Sequence, residues 1–201
     1  MENKDKIILD LCGGTGAWSK PYKEAGYDVR LVTLPETDVR TYEPPENVYG
    51  ILAAPPCTMF SKARSTAITP RDYKGAMETV AACLNIIWTC RTEHRIKFWA
   101  LENPMGQLRQ FLGKPPFSFQ PWEYGDPYIK QTDLWGYFNM PKKTPVEVPG
   151  HVQEECLRGS RSGKYLPKLP DDYIPQGERS DRARRSITPE GFAKAFFRAN
   201  K

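Results

Sequence analysis

Cys57 sits in "APPCTMFSK", residues 54–62, directly behind two prolines. Proline fixes φ and lacks an amide hydrogen, so a thiol placed there is presented on a stiff loop rather than inside a helix or strand. The thiolate is the nucleophilic form of cysteine, and a rigid loop is where covalent catalysis would hold one. The competing reading is a buried thiol beside a turn, the commoner fate of a cysteine outside a disulfide. Glu102 closes the apolar run "KFWALE" ahead of "NPMGQL". A carboxyl there could cap the following helix. In a partly desolvated cleft it would instead hold its proton and donate a hydrogen bond to a ring nitrogen. A pyrimidine held in that way becomes electrophilic enough for a thiolate to add. The third feature is "LDLCGGTGAW", glycines between an apolar run and a helical one. Such a turn lets backbone approach a ligand closely and offers a helix N-terminus to a negative group. No Gly-Lys-Ser/Thr follows, so it is not the phosphate loop of nucleotide hydrolases. Asp10 and the short turn look more like a site for S-adenosylmethionine, with an amino-acid carboxylate in place of phosphate.

Alternating apolar runs and helical periods position these groups. "KIILDL", "YDVRLVTL", "NVYGILAA", "KFWALE" and "DLWGYF" read as strands. "AWSKPYKEAG" reads as a short helix closed by Gly26, and "MGQLRQFLG" as another. Thr69 as N-cap, Pro70 at the first helical position and Asp72 in the first turn predict a helix start. Met77, Val80, Leu84, Ile87 and Trp88 carry it to about residue 94 at helical spacing. The alternation predicts an α/β fold with a doubly wound, mostly parallel sheet. Ligands of such sheets lie outside the carboxyl ends of the strands, which puts "CGGTG", Cys57 and Glu102 on one rim. After residue 140 the chain becomes proline-rich in "MPKKTPVEVPG" and "KYLPKLPDDYIPQG", predicting loop, before a last helix in "PEGFAKAFFRAN". The expected organisation is a catalytic domain over 1–140, a basic proline-rich loop region over 141–186, and a helix over 187–201 that packs back. There is no internal repeat.

The 201 residues, 39% hydrophobic, suffice for one domain with a core. Five cysteines without a C-x-x-C pair argue against a disulfide framework or a ribbon-type zinc site. His94 and His151 are far from each other and from any cysteine cluster, so no metal is expected. "MENKDK" has no apolar h-region and no run approaches a membrane span, so a soluble, cytoplasmic protein is expected. The net charge of +5 is uneven: residues 151–201 hold 11 Lys and Arg against 7 Asp and Glu. A basic segment of this kind suits either a polyanion or a solvated surface.

On these residues the chain resembles the DNA cytosine-5 methyltransferase family. "PPCTMFSKA" is similar to its Pro-Pro-Cys-x-x-Phe-Ser-x-Ala loop, "LENP" to its Glu-Asn-Val segment and "DLCGGTGAW" to its methyl-donor motif. "DVR" at 38–40 resembles the acidic motif that meets the donor's adenine, and "YGDPYIKQTDLWG" the stretch preceding its basic catalytic segment. The similarity runs in the family's order over about residues 7–138 and takes in the final helix by position. It implies a Rossmann-like methyltransferase fold with a proline-rich C-terminal extension, S-adenosylmethionine as cofactor, and DNA, duplex or single-stranded, as partner. Cys57 would attack cytosine carbon 6 and Glu102 would hold nitrogen 3. Asn103, Pro55 and Pro56 would shape the loop, with Phe60 and Ser61 in support, and Lys130 would stand near the base. The donor would contact Asp10, Cys12, Gly13, Gly14, Gly16, Trp18, Asp38 and Pro55. Ser61, Arg64, Arg182, Arg184 and Arg185 would meet DNA, whose target base must be flipped out to reach the thiol.

Three features depart from the family pattern. No acid closes the second strand, "LVTLPE", for the donor's ribose; Glu36 is the nearest. The family's Gln-x-Arg-x-Arg run stands here as "YIKQT", with Lys130 and Thr132 at its arginines. Only residues 137–186 occupy the place of a target-recognition domain. This predicts a short or relaxed sequence preference, a single-stranded or nucleotide-sized substrate, or a partner subunit that supplies recognition. The small size points to a phage or mobile-element origin.

Three other readings remain at this level. Amino-group methyltransferases also carry a Pro-Pro loop, but need Asp, Asn or Ser before the prolines, where this chain has Ala54. Cytosine-5 chemistry could act on a free nucleotide such as deoxycytidylate. The chain could also be a silent module that binds donor or nucleic acid, which the retention of Cys57 and Glu102 disfavours. Trp122, Tyr124, Tyr128, Trp135 and Tyr137 could stack bases, or fill the core.

Overall fold

The computed structural model describes residues 2–62, 64, 67–94, 96–158 and 180–201. Six strands form one mixed sheet: β1 (Ile7–Leu11), β2 (Asp28–Val32), β3 (Val48–Ala53), β4 (Phe98–Pro104), β5 (Phe117–Phe119) and β6 (Thr132–Tyr137), in the order β2-β1-β3-β4-β6-β5. The helices are α1 (Lys20–Glu24), α2 (Tyr73–His94), α3 (Arg109–Leu112), α4 (Gly150–Arg158), α5 (Ser180–Ser186) and α6 (Glu190–Ala199). The protein is therefore α/β.

The central strands are apolar almost throughout because both of their faces are covered. On one face Leu9, Leu11, Ile51, Ala53 and Leu101 meet Val80, Cys83, Ile87 and Cys90 of α2. On the other, Ile8, Leu52, Phe98, Ala100 and Leu134 meet Tyr22 of α1 and Phe192 and Phe196 of α6. Side chains alternate along a strand, so Asp10 and Glu102 emerge on the α1/α6 side, where Ile8 and Ala100 also lie.

The sheet departs from the mostly parallel expectation at one end. Strands β1 to β4 pair in parallel, whereas β6 runs antiparallel to both β4 and β5. A parallel return needs a crossover of a dozen or more residues, usually helical. The link between β5 and β6 carries only the four-residue 3-10 helix Pro121–Tyr124, so the chain comes back antiparallel.

Helix α2 starts at Tyr73, not behind Thr69 as its sequence signal predicts. The carboxylate of Asp72 accepts the Gly75 amide at 2.9 Å and acts as the cap. Thr69 and Pro70 are engaged elsewhere, since the Arg64 guanidinium donates to both carbonyls and to the Thr69 hydroxyl. Trp88 turns outward, 62% exposed, under the Arg91 guanidinium.

Two helices occupy the region expected to be loop. Val152 and Cys156 of α4 pack one turn apart with Tyr128 and Val148. Ala183 anchors α5 and is buried. Each carries too few apolar residues to register as a period. "KYLPKLPDDYIPQG" and Arg179 lie outside the described residues. No helix among the described residues is long and apolar enough to cross a membrane.

Candidate active site

The glycine turn begins where β1 ends. Cys12, Gly14 and Gly16 all adopt positive φ, at 57°, 54° and 69°, which coils the backbone tightly before α1. Gly13 lies so close to Asp10 that a Cβ there would stand 2.4 Å from its carboxyl. The turn thus wraps a fully buried acid. Ser19 Oγ donates to Asp10 Oδ2 at 2.5 Å, while Oδ1 finds no partner among the described residues. Burial pushes the Asp10 carboxyl up to about 6, and the Ser19 bonds only partly offset this. Trp18 packs on Phe192 and Phe196, and its indole N–H is likewise without a partner among the described residues.

Cys57 follows β3, one strand over. Its carbonyl accepts the amides of Phe60 and Ser61 at 3.0 and 2.8 Å, closing a tight turn. Phe60 is fully buried, stacked with Tyr73 and edge-on to Phe111. The Phe60 carbonyl accepts the Gln107 amide at 2.8 Å, and a Cβ on Gly106 would come within 2.3 Å of it. Two side chains complete the anchorage. Asn103 Nδ2 donates to the Pro55 carbonyl at 2.9 Å, and Arg71 donates to the carbonyls of Met59 and Ser61.

Asn103 is fully buried. Asn103→Ala should therefore cost about 1–3 kcal/mol by leaving the Pro55 carbonyl unpaired. Chemical denaturation of the two proteins measures that loss, and an unchanged midpoint would mean that water replaces the amide.

Glu102 lies within β4, two residues before its end and beside this loop, 8% exposed. Burial raises its pKa; the charge of Lys130 opposes the shift and that of Asp133 adds to it. Lys130 reaches in from the segment before β6, where its amide donates to Gln120 Oε1 at 3.0 Å and its ammonium to the Ile187 carbonyl at 3.4 Å. Asp133, opposite Asn103 in register, is held by Arg109 through two 2.6 Å bonds and by Ser118.

These groups line one cleft. The glycine turn contributes Asp10, Cys12, Gly13, Gly14 and Trp18; the loop contributes Pro55 and Cys57; Glu102 and Lys130 form a third wall. A fourth comes from Arg185, Ser186 and Thr188, of which only Arg185 carried a sequence expectation. Basic residues before a helix read as solvated charge, so nothing in the sequence marks Ser186 or Thr188.

Other expected residues stand apart from the cleft. Gly16 shapes the turn from outside its lining. Asp38 is chelated by Arg40 at 2.5 and 3.0 Å, and those bonds hold its carboxyl down near about 2. Glu36 is exposed. Ser61 supports the Cys57 turn through its backbone, and Arg64 braces the Thr69–Pro70 segment. Arg184 belongs to α5 without lining the cleft, and the side chain of Arg182 lies outside the described residues. Tyr124, Tyr128 and Trp135 are core residues, whereas Tyr137 is 64% exposed. Cys12 Sγ lies 3.9 Å from Cys83 Sγ, and none of the described cysteines forms a disulfide.

Comparison with known proteins adds no family to this geometry: no family model and no curated protein matches the chain.

Proposed function

We propose that the protein is an S-adenosylmethionine-dependent methyltransferase acting on carbon 5 of cytosine in DNA, built on a Rossmann-like methyltransferase fold. The observation that carries this reading is the shared cleft. A thiol on a braced Pro-Pro loop and a carboxyl whose pKa is raised by burial face the same space as a glycine turn flanked by Asp10 and Trp18, each with a buried polar atom unpartnered among the described residues.

The cleft residues fit the cofactor's amino-acid end. Asp10 Oδ1 can accept an ammonium, the Trp18 indole N–H can donate to a carboxylate, and the glycine turn leaves backbone exposed beside them. When bound there, the cofactor supplies an electrophilic methyl group. The protein's own residues do the rest. Glu102 donates a hydrogen bond, and then its proton, to cytosine nitrogen 3. The Cys57 thiolate adds to carbon 6, and the electron pair of the ring double bond becomes available at carbon 5. After transfer a base removes the carbon 5 proton, the carbon–sulfur bond breaks as the ring double bond re-forms, nitrogen 3 returns its proton to Glu102, and the thiolate is regenerated. Lys130 keeps a cation beside Glu102 as that carboxyl gives up its proton.

The test is to incubate duplex and single-stranded DNA with protein and donor, digest to nucleosides and look for 5-methylcytosine by mass spectrometry. Its absence from both, and from deoxycytidylate, would end the proposal. The monomer arm tests a second reading favoured by one observation. Lys130 and Arg185 line the same small cleft as the thiol, a place where the phosphate of a free nucleotide could sit.

Asp10 gives donor binding a defined pH dependence. An ammonium is held by the ionised carboxyl, which predominates only above about 6. Donor affinity, measured by calorimetry, should fall roughly tenfold per pH unit below that value, and Asp10→Asn should bind weakly with no such slope. The unliganded protein responds oppositely. A folded-state value raised above 3.8 means stability is complete below 3.8 and is lost as pH rises towards 6. A flat affinity from about pH 7.5 to 5 would place the ammonium elsewhere.

A further inference from the structure

Four of the five backbone carbonyls of residues 57–61 find partners among the described residues, and these partners are of two kinds. The carbonyl of Cys57 is used within the turn and that of Phe60 by the Gln107 amide. Those of Met59 and Ser61 both accept from one side chain, Arg71, whose Nη1 reaches the first and whose Nη2 reaches the second at 3.0 Å; the Ser61 carbonyl also accepts the Arg64 amide at 3.3 Å. Arg71 is half-buried and stands immediately before Asp72, the cap of α2. The guanidinium is thus fastened to a helix that packs on the sheet beneath β3. A planar fork with several donors can bridge two carbonyls at once; a lysine ammonium on a flexible stem does not reproduce that geometry.

We propose that Arg71 is the positioning residue of the nucleophile: its guanidinium, by bridging the carbonyls of Met59 and Ser61, ties the Cys57 turn to the start of α2 and sets the thiol's place at the cleft. Arg71 touches neither reacting atom. It acts through the loop, and the inference rests on the reading of Cys57 as the nucleophile of a methyltransferase.

The position has consequences for rate rather than for binding. The donor site is built from the glycine turn and the far wall of the cleft, with no contribution from Arg71. Misplacing a reacting atom by about 1 Å costs on the order of a hundredfold in rate. Arg71→Ala should therefore lower kcat roughly 10- to 100-fold with little change in KM or in donor affinity. The same loosening exposes the half-buried thiol. Alkylation of Cys57 by iodoacetamide should thus become faster, by about threefold or more, while formation of the productive adduct becomes slower. Opposite movement of the two rates is the signature of a loop released from its place; a general loss of fold would not give it.

The experiment compares wild type, Arg71→Ala, Arg71→Lys and Arg71→Gln. It measures thermal melting, donor calorimetry, single-turnover adduct formation on DNA bearing 5-fluorocytosine, and Cys57 alkylation read by peptide mass spectrometry. Adduct formation falls in all three variants, and added methylguanidinium partly restores it in Arg71→Ala alone. Should Arg71→Ala fail to fold, the comparison passes to Arg71→Gln, which keeps a donor. Unchanged adduct and alkylation rates in a folded variant overturn the proposal, as does a loss confined to KM. If the wild type forms no adduct on any fluorinated substrate, the methyltransferase reading falls. The alkylation arm then decides on Arg71 alone: an unchanged rate refutes the clamp, and an accelerated one reversed by methylguanidinium upholds it.

Discussion

Cys57→Ser should abolish the covalent complex that the proposed mechanism predicts for wild type with DNA containing 5-fluorocytosine in the presence of donor, and should lower methyl transfer by about 10⁴-fold or more. Fluorine at carbon 5 blocks the final elimination, so the carbon–sulfur bond formed at carbon 6 persists through a denaturing gel. A serine hydroxyl in the same turn is far less nucleophilic than a thiolate. The turn itself should survive the exchange, because its backbone bonds from the Phe60 and Ser61 amides run to the Cys57 carbonyl, which the exchange leaves in place. Donor affinity and melting temperature are therefore expected to stay near wild type. That combination separates loss of a nucleophile from loss of structure. A trapped complex that persists in Cys57→Ser would move the nucleophile to another residue. Cys12 would be the one to examine, since it is the second cysteine lining the cleft.

Glu102→Gln should cost about 10²- to 10⁴-fold in rate, because an amide can donate a hydrogen bond to nitrogen 3 but cannot give up a proton at neutral pH. The pH profile carries more information than the rate. Burial raises the Glu102 pKa, so the reactive, protonated carboxyl persists further towards neutrality than an ordinary glutamic acid. Wild-type activity should decline on the alkaline side as that proton is lost, and Glu102→Gln should lack this decline. Stability moves the other way. A carboxyl whose folded value is raised favours the folded state fully only below the ordinary value of 4.5, and that contribution drains away as pH rises through the folded value. Glu102→Gln, which has nothing to ionise, should therefore melt higher than wild type at pH near 8 and match it at pH near 4. A variant slower yet more stable at alkaline pH is what a buried acid kept for chemistry gives. One that is slower and less stable would show that Glu102 holds the loop instead.

The parts of the site legible in the sequence are those that follow from strand ends. β1, β3 and β4 are continuous apolar runs because they are covered on both faces, and each is followed at once by a chemically suggestive group. Since these strands run parallel and side by side, the glycine turn, Cys57 and Glu102 come to one rim without further information. The reversal of β6 was not legible, because strand direction depends on the length and packing of the link and not on the strand's residues. The start of α2 was misplaced for a related reason: Thr69 and Pro70 form a sound local signal, and a single arginine five residues upstream overrides it. Asp38 fell outside the cleft because Arg40, two residues away, satisfies it locally. Arg71 was invisible in principle. Nothing in one arginine ahead of a helix cap announces which carbonyls it will find once the chain has folded.

The covering of Trp18 by Phe192 and Phe196 bears on how the protein is made. On the ribosome Trp18 emerges early, whereas its partners follow only after Cys57 and Glu102 are already outside the exit tunnel. A nascent chain therefore shows Cys57 and Glu102 on a sheet with one bare face, beside a half-lined cleft. The cleft is complete only when α6 docks and Arg185, Ser186 and Thr188 stand against the opposite wall. A chain cut short before residue 185 would therefore lack one wall of the cleft and the aromatic cover of Trp18.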